Sequence, residues 1–301
     1  MMKTSETIVF FGSGPVAATS LALLAKDFVI EAVVTKPQPA HHKQAFPVLK
    51  LADELGLKVC TPINKKELSE LIIQSPFNSR LGIVIDYGII IDESVIDSFS
   101  KGIINSHFSL LPKWRGADPI SFAILSGEPT TGVSIMRIVK ALDEGPLFSQ
   151  EELNLLDDEA APELTARLVE LSHRMLVKIV PEYLQGSIEP KPQDSVGISY
   201  SRKLTKADGL IDWNMPAKDL DRQVRAFIEW PRSYTSLGGN EVIVTKTKPV
   251  EGSGEPGRLL IDKHSLGVFT GDGVLQIMRL VPSGKREMDI ISFMAGYKIK
   301  N

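Results

Sequence analysis

A single cysteine, Cys60, in 301 residues excludes an internal disulfide framework and leaves no thiolate cluster to hold a metal. The five histidines (His41, His42, His107, His173 and His264) show no metal-ligand spacing, so no metal is expected. No apolar run is long enough to cross a bilayer. The best candidate, Ile8 to Ala25, is broken by Gly12, Gly14 and Pro15. The first residues carry Lys3 and Glu6 around a short apolar stretch, which reads as a buried strand and not as a secretory leader. The expectation is a cytoplasmic monomer with no membrane partner. Internal repeats and low-complexity tracts are also absent.

What is present is enough chain for two cores, with 43% hydrophobic and 24% charged residues, as in ordinary globular proteins. Charge is unevenly spread. From Ser201 onward there are 16 Lys and Arg against 12 Asp and Glu; before it there are 18 against 25. A basic tail region behind an acidic body points to an anionic partner, nucleic acid first.

The early chain alternates between the two periodicities. Strands are expected at Thr7–Phe11, Val29–Thr35, Leu57–Cys60, Leu81–Ile85 and Gly102–Asn105, with helices at Pro15–Ala25, Pro47–Leu55 and Lys65–Ile73. This alternation predicts an α/β fold, a mostly parallel Rossmann-like sheet with helices on both faces. Apolar residues at three- and four-residue spacing make Ala160–Leu184 helical, and Pro181 is expected to kink or end that helix. The polar, proline-bearing stretch that begins at Gly186 reads as a linker over residues 186–200. Beyond it, after a helix at Pro216–Ile228, short apolar segments separated by glycine turns predict a small β-barrel of the oligonucleotide-binding type, closed by a helix near Met288–Ala295. The expected domains are therefore 1–185 and 201–301.

Two motifs carry chemistry. Gly12-Ser-Gly14-Pro-Val-Ala17 follows a strand and opens a helix, imitating a dinucleotide-binding turn. The acid expected at the end of the second strand is missing from Val33-Val-Thr-Lys36, and tight packing explains the glycines as well. The second motif runs from Ile104 to Pro119. Asn105 and His107 stand where a buried strand gives way to a loop, and residues two apart on a strand share a face. An amide N–H₂ and an imidazole converging beyond the carboxyl end of the sheet suit a carbonyl that becomes an oxyanion. Asp143, on a later loop, is placed to orient the imidazole. Taken singly, His107 reads as a core histidine and Asn105 as a turn former.

The run Asn105-Ser-His107-Phe-Ser109-Leu110-Leu111-Pro112, with Asp143-Glu-Gly145 downstream, resembles the signature of the 10-formyltetrahydrofolate-dependent formyltransferases. The resemblance implies a catalytic trio of Asn105, His107 and Asp143. It also implies a folate site lined by Ser109, Leu110, Leu111 and Pro112, and a loop at Asp86–Ile90 that helps hold the pterin. It extends over nearly the whole chain, through Tyr200–Leu204, Asp208–Trp213, Ala226–Pro231 and Gly284–Met288. Those segments match the members that formylate methionine on charged initiator tRNA and engage it through a barrel domain. The implied donor is 10-formyltetrahydrofolate. Formylation of a nucleotide-linked amino sugar keeps the same chemistry with another acceptor. A formyl-folate hydrolase would use water in place of the amine. A nicotinamide-dependent oxidoreductase built on Gly12–Ala17 would leave Asn105, His107 and the second domain unexplained. Two departures stand out: the segment Lys36–Ala45 is short and lacks arginine, and Asp86 replaces a small apolar residue beside the folate loop.

Overall fold

The computed structural model describes residues 6–38 and 46–299. His41, His42 and most of the Lys36–Ala45 segment therefore lie outside the described residues. The chain divides into two compact units. The first holds residues 1–119, 131–154 and 165–201; the second holds 120–130, 155–164 and 202–301.

In the first half of the chain the elements are β1 (Thr7–Phe11), α1 (Pro15–Asp27), β2 (Val29–Val34), α2 (Pro47–Glu54), β3 (Val59–Cys60), α3 (Lys65–Gln74), β4 (Gly82–Val84), α4 (Glu93–Asp97) and β5 (Ile103–His107). There follow β6 (Arg115–Gly116), α5 (Pro119–Ser126), β7 (Thr130–Arg137), β8 (Leu147–Asn154), α6 (Ala161–Leu184) and β9 (Tyr200–Ser201). Seven strands form one sheet in the order β3-β2-β1-β4-β5-β7-β8. The β3-to-β5 part is parallel, and β7 runs antiparallel to β5. This is the mostly parallel sheet expected of the alternating pattern.

The strands alternate their faces. Val9, Phe11, Ala32, Val34, Val84 and Ile103 meet Leu68 and Ile72 of α3 and Val95 of α4 in one cluster. On the opposite face of β5, Ser106 Oγ lies 2.6 Å from Ser172 Oγ of α6. Phe11, fully buried, takes Tyr87 and Phe99 edge-on at 5.7 and 6.0 Å between centroids. Burying a side chain of that size contributes about 1.5–3 kcal/mol, and here it also pins the segment after β4.

Pro181 does not end α6, which continues to Leu184. Proline removes the N–H that would bond to Val177 O, but only three helical residues follow it, so the loss falls at the very end of α6. Gln185 N still donates to Pro181 O at 3.0 Å. The polar stretch after α6 is held to the first unit by reciprocal backbone bonds between Leu147 and Lys191, at 2.7 and 2.8 Å, and by β9 pairing with β6.

The second unit contains α7 (Ala217–Ala226), β10 (Ser233–Leu237), β11 (Asn240–Val250), β12 (Leu259–Asp262), β13 (Ser265–Phe269), β14 (Val274–Pro282), β15 (Met288–Asp289) and α8 (Ile290–Gly296). Its sheet is antiparallel, in the order β10-β11-β14-β13-β12, with β15 on β14. Leu220 and Val224 of α7 and Phe293 of α8 close its core over Val244, Val268 and Ile277. The last helix starts at Ile290; Met288 and Asp289, expected within it, are a short strand, and Asp289 caps the helix by accepting from Ser292 N at 2.8 Å.

Candidate functional site

β5 carries the first two site residues. Asn105 pairs in register with Val84 on one side and Met136 on the other, and His107 lies opposite Ser134. The strand alternation turns both away from the Ser106–Ser172 face. His107 is 6% exposed, and its Nε2 lies 2.9 Å from Trp114 O. A carbonyl only accepts, so Nε2 carries the hydrogen of that bond. Asn105 is half-buried, and its side-chain amide has no hydrogen-bond partner among the described residues.

The chain returns to the site after β7. Asp143 is 8% exposed with a left-handed φ of 52°, a conformation aspartate tolerates better than most residues. Its Oδ2 accepts from Gly116 N at 2.8 Å and stands 3.8 Å from His107 Nδ1. That second distance is an ion-pair separation, too long for a direct hydrogen bond. Gly145 lets the loop close on the end of β7, since a Cβ there would fall 1.7 Å from Arg137 O.

The structure thus gathers Asn105, His107 and Asp143 in the first unit. The Ser109–Pro112 segment follows directly as a tight turn. Ser109 is fully buried, and its Oγ donates to Lys113 O. Leu111 is buried, and the Leu111–Pro112 peptide is cis. Leu110 is half-buried against Gly132 of β7. Ser134 Oγ donates to Ser109 O at 2.6 Å and accepts from Leu111 N at 3.0 Å, and Gln150 Nε2 donates to Leu111 O at 2.7 Å. In the Asp86–Ile90 loop Tyr87 is buried and Ile90 is 74% exposed.

Sequence reasoning missed the frame around these groups. Gln193, within the expected linker, donates from Nε2 to Asp143 O at 2.7 Å and Gly145 O at 2.9 Å, and accepts from Arg115 Nη2 at 2.8 Å. Arg115, 6% exposed, also meets Glu144 at 3.1 Å. Nothing in a glutamine fifty residues away marks such a role. Trp-Arg-Gly was legible as part of the motif, but not that its backbone would supply Trp114 O and Gly116 N. Among the described residues no cluster of three or more His, Cys, Asp or Glu could hold a metal, and no helix is long and apolar enough to cross a membrane.

Comparison with known proteins gives consistent matches. The family described as formyl transferase matches residues 8–180, and its C-terminal domain family matches residues 203–298. Methionyl-tRNA formyltransferase of Thermodesulfovibrio yellowstonii is 35% identical over 300 residues, covering 98% of this chain and 97% of that protein. The Listeria monocytogenes enzyme of the same name is 35% identical over 96% of this chain and 95% of its own length. Among solved structures, the N-formyltransferase of Helicobacter canadensis, in complex with folinic acid and dTDP-3-aminofucose, superposes with a TM-score of 0.69 over 91% of this chain and 99% of its own. HypX of Aquifex aeolicus gives 0.68 over 99% of this chain, which spans about half (49%) of HypX. These two are 17% and 16% identical and speak for the fold. Similarity above 30% running nearly end to end through both units means that the chain belongs to the formyltransferase family, with the methionyl-tRNA formyltransferases.

Proposed function

We propose that the protein transfers the formyl group of 10-formyltetrahydrofolate to the amino group of methionine esterified to initiator tRNA, and that Asn105, His107 and Asp143 carry the chemistry. The supporting observation is the unpaired Asn105 amide on the same strand face as a buried histidine, with a buried carboxylate 3.8 Å from its ring. Asn105 Nδ2 donates to the formyl oxygen as the methionyl nitrogen attacks the carbon. Trp114 O holds Nε2 of His107, so Nδ1 is the ring nitrogen left to face substrate. As imidazolium it stabilises the tetrahedral oxyanion from that side, and Asp143 complements its charge. The new C–N bond forms, the bond to N10 breaks, and the amine proton passes through water to N10. No covalent enzyme intermediate is required.

Catalysis is assigned to residues 1–185, with Ser109, Leu110, Leu111 and Pro112 shaping the folate side. Residues 201–301, with their basic balance, are assigned to the tRNA. The test is to incubate the protein with 10-formyltetrahydrofolate and, in turn, methionine-charged initiator tRNA, an aminosugar nucleotide, or buffer. Formyl-methionine is expected with the tRNA alone. Folate turnover in buffer identifies a hydrolase, and a formylated sugar moves the acceptor. An oxyanion donor is worth about 3–4 kcal/mol of barrier. Asn105→Ala and His107→Ala are therefore each expected to lower turnover at least about a hundredfold with little change in tRNA binding. Near-normal turnover in His107→Ala removes that residue from the chemistry.

A further inference from the structure

The Gly12–Ala17 turn looks like a phosphate cradle, and the first turn of a helix attracts anions through its unpaired N–H groups. In this protein an anion from the chain itself is already there. Asp86, two residues beyond β4, accepts a hydrogen bond from Ala17 N–H through its carboxylate. Its backbone carbonyl accepts from Ser13 N at 2.9 Å and from Gly14 N at 3.4 Å. The carboxylate sits tightly on the head of α1: a Cβ on Gly14 would stand 1.9 Å from Asp86 Oδ2. Gly14, the N-cap residue, has no side chain with which to cap α1 itself.

The same residue starts the loop beside the site. Val84 of β4 pairs with Asn105 of β5, so the segment leaving β4 sets out alongside the strand that carries Asn105 and His107. The Asp86–Ile90 loop is thus fixed at two points, by Asp86 on α1 and by the Tyr87 ring on Phe11.

We infer that Asp86 is a positioning residue: its carboxylate fills the anion seat at the head of α1, closing the Gly12–Ala17 turn to phosphate, and it fixes the Asp86–Ile90 loop against the site so that folate binds. The filled seat stands on geometry alone; the effect on folate rests on the formyl-transfer reading.

The electrostatics agree. Although part of the residue reaches solvent, crowding around the carboxylate pushes its pKa up to about 6, and the Asp118 charge adds to the rise. Ala17 N–H and Lys36 oppose it. These groups, from α1 and from the segments after β2 and β6, are the ones that face Asp86. A carboxyl raised above its unfolded value binds its proton more tightly when folded, so its ionisation costs stability above about pH 6, a cost that fades as pH falls. Asp86→Asn therefore leaves the fold at least as stable at neutral pH while keeping an acceptor for Ala17.

The experiment compares the full-length wild type, Asp86→Asn and Asp86→Ala. In amide NMR spectra, the Ala17 signal is expected to titrate with a midpoint near pH 6 in the wild type and to stay flat in Asp86→Asn. Millimolar inorganic phosphate is expected to leave that signal unmoved in the wild type and to shift it in Asp86→Ala. In kinetics, Asp86→Ala is expected to raise the KM for 10-formyltetrahydrofolate about tenfold with kcat within about twofold. The wild-type KM is expected to rise below pH 6, a trend that Asp86→Asn loses. A phosphate shift in the wild type, or an Ala17 titration that survives Asp86→Asn, overturns the filled seat. Equal folate KM values in all three proteins overturn the positioning role. A wild type that titrates as described yet formylates no acceptor counts against the formyl-transfer reading and leaves the filled seat standing.

Discussion

Asp143 is held by its own carboxylate, which accepts from Gly116 N at 2.8 Å, and also by a glutamine that reaches its backbone. Gln193 Nε2 bridges the carbonyls of Asp143 and Gly145, and its Oε1 takes a hydrogen bond from the buried Arg115. Asp143 has a positive φ, a conformation that persists only where its surroundings enforce it. The expected result of Gln193→Ala is a fall in turnover of about tenfold, typical of lost support behind a reacting group. The melting temperature is expected to move by only a few degrees, since each lost hydrogen bond is worth about 1 kcal/mol. Steady-state kinetics beside a thermal melt decide it, and unchanged turnover means the Asp143 loop does not need this strap. The contrast with Asn105 and His107 is physical. Two residues on one strand share a face by local geometry, so their spacing is readable in the letters. Gln193 reaches Asp143 only because the chain folds back across fifty positions, and its neighbours Pro192 and Asp194 read as turn formers.

Elements buried on both faces announce themselves as apolar runs, which is why β1, β4 and the start of β5 stood out. β8 did not. It is the last strand in the sheet order, and its Gln150, Glu151 and Glu152 dilute any alternation. α5, Pro-Ile-Ser-Phe-Ala-Ile-Leu-Ser, is apolar on most sides and shows no helical period. One tie between elements carries a pH signature. Glu31 of β2 accepts from the backbone N–H of Asn78 and Ser79 at 2.8 and 2.7 Å and from both of their side chains. Burial alone would raise this carboxyl, but the hydrogen bonds outweigh it and hold it below the usual range. A lowered pKa stabilises above the unfolded value and is lost as pH falls through the folded one. Glu31→Gln is therefore expected to unfold at lower urea than the wild type at pH 7, with the gap closing as pH drops below the ordinary carboxylate range. A gap that stays constant with pH would show that the charge of Glu31 contributes nothing.

On the scale of the whole molecule, the two parts of the sequence on either side of Ser201 carry opposite balances of charge. Acidic residues outnumber basic ones by 25 to 18 before Ser201, and basic outnumber acidic by 16 to 12 after it. A polyanion such as tRNA is repelled by the first region and drawn to the second, whereas a folate, with few charges, depends on shape and local hydrogen bonds. Lys246 and Lys248 sit exposed on β11, with Lys246 opposite Arg279 of β14 where the register shifts. The Arg279 guanidinium is engaged by Glu287 at 2.9 Å, so the two exposed lysines of β11 are the charges offered to phosphate. If three phosphates are neutralised, counterion release lowers tRNA affinity about fortyfold between 50 and 200 mM salt. The KM for charged initiator tRNA is accordingly expected to climb steeply over that range while the KM for 10-formyltetrahydrofolate changes little. Lys246→Gln combined with Lys248→Gln is expected to flatten the logarithmic salt slope by about two and to leave the folate KM alone. Equal salt dependence for both substrates, or an unchanged slope in the double variant, would mean that the lysines of β11 are not where the nucleic acid lies.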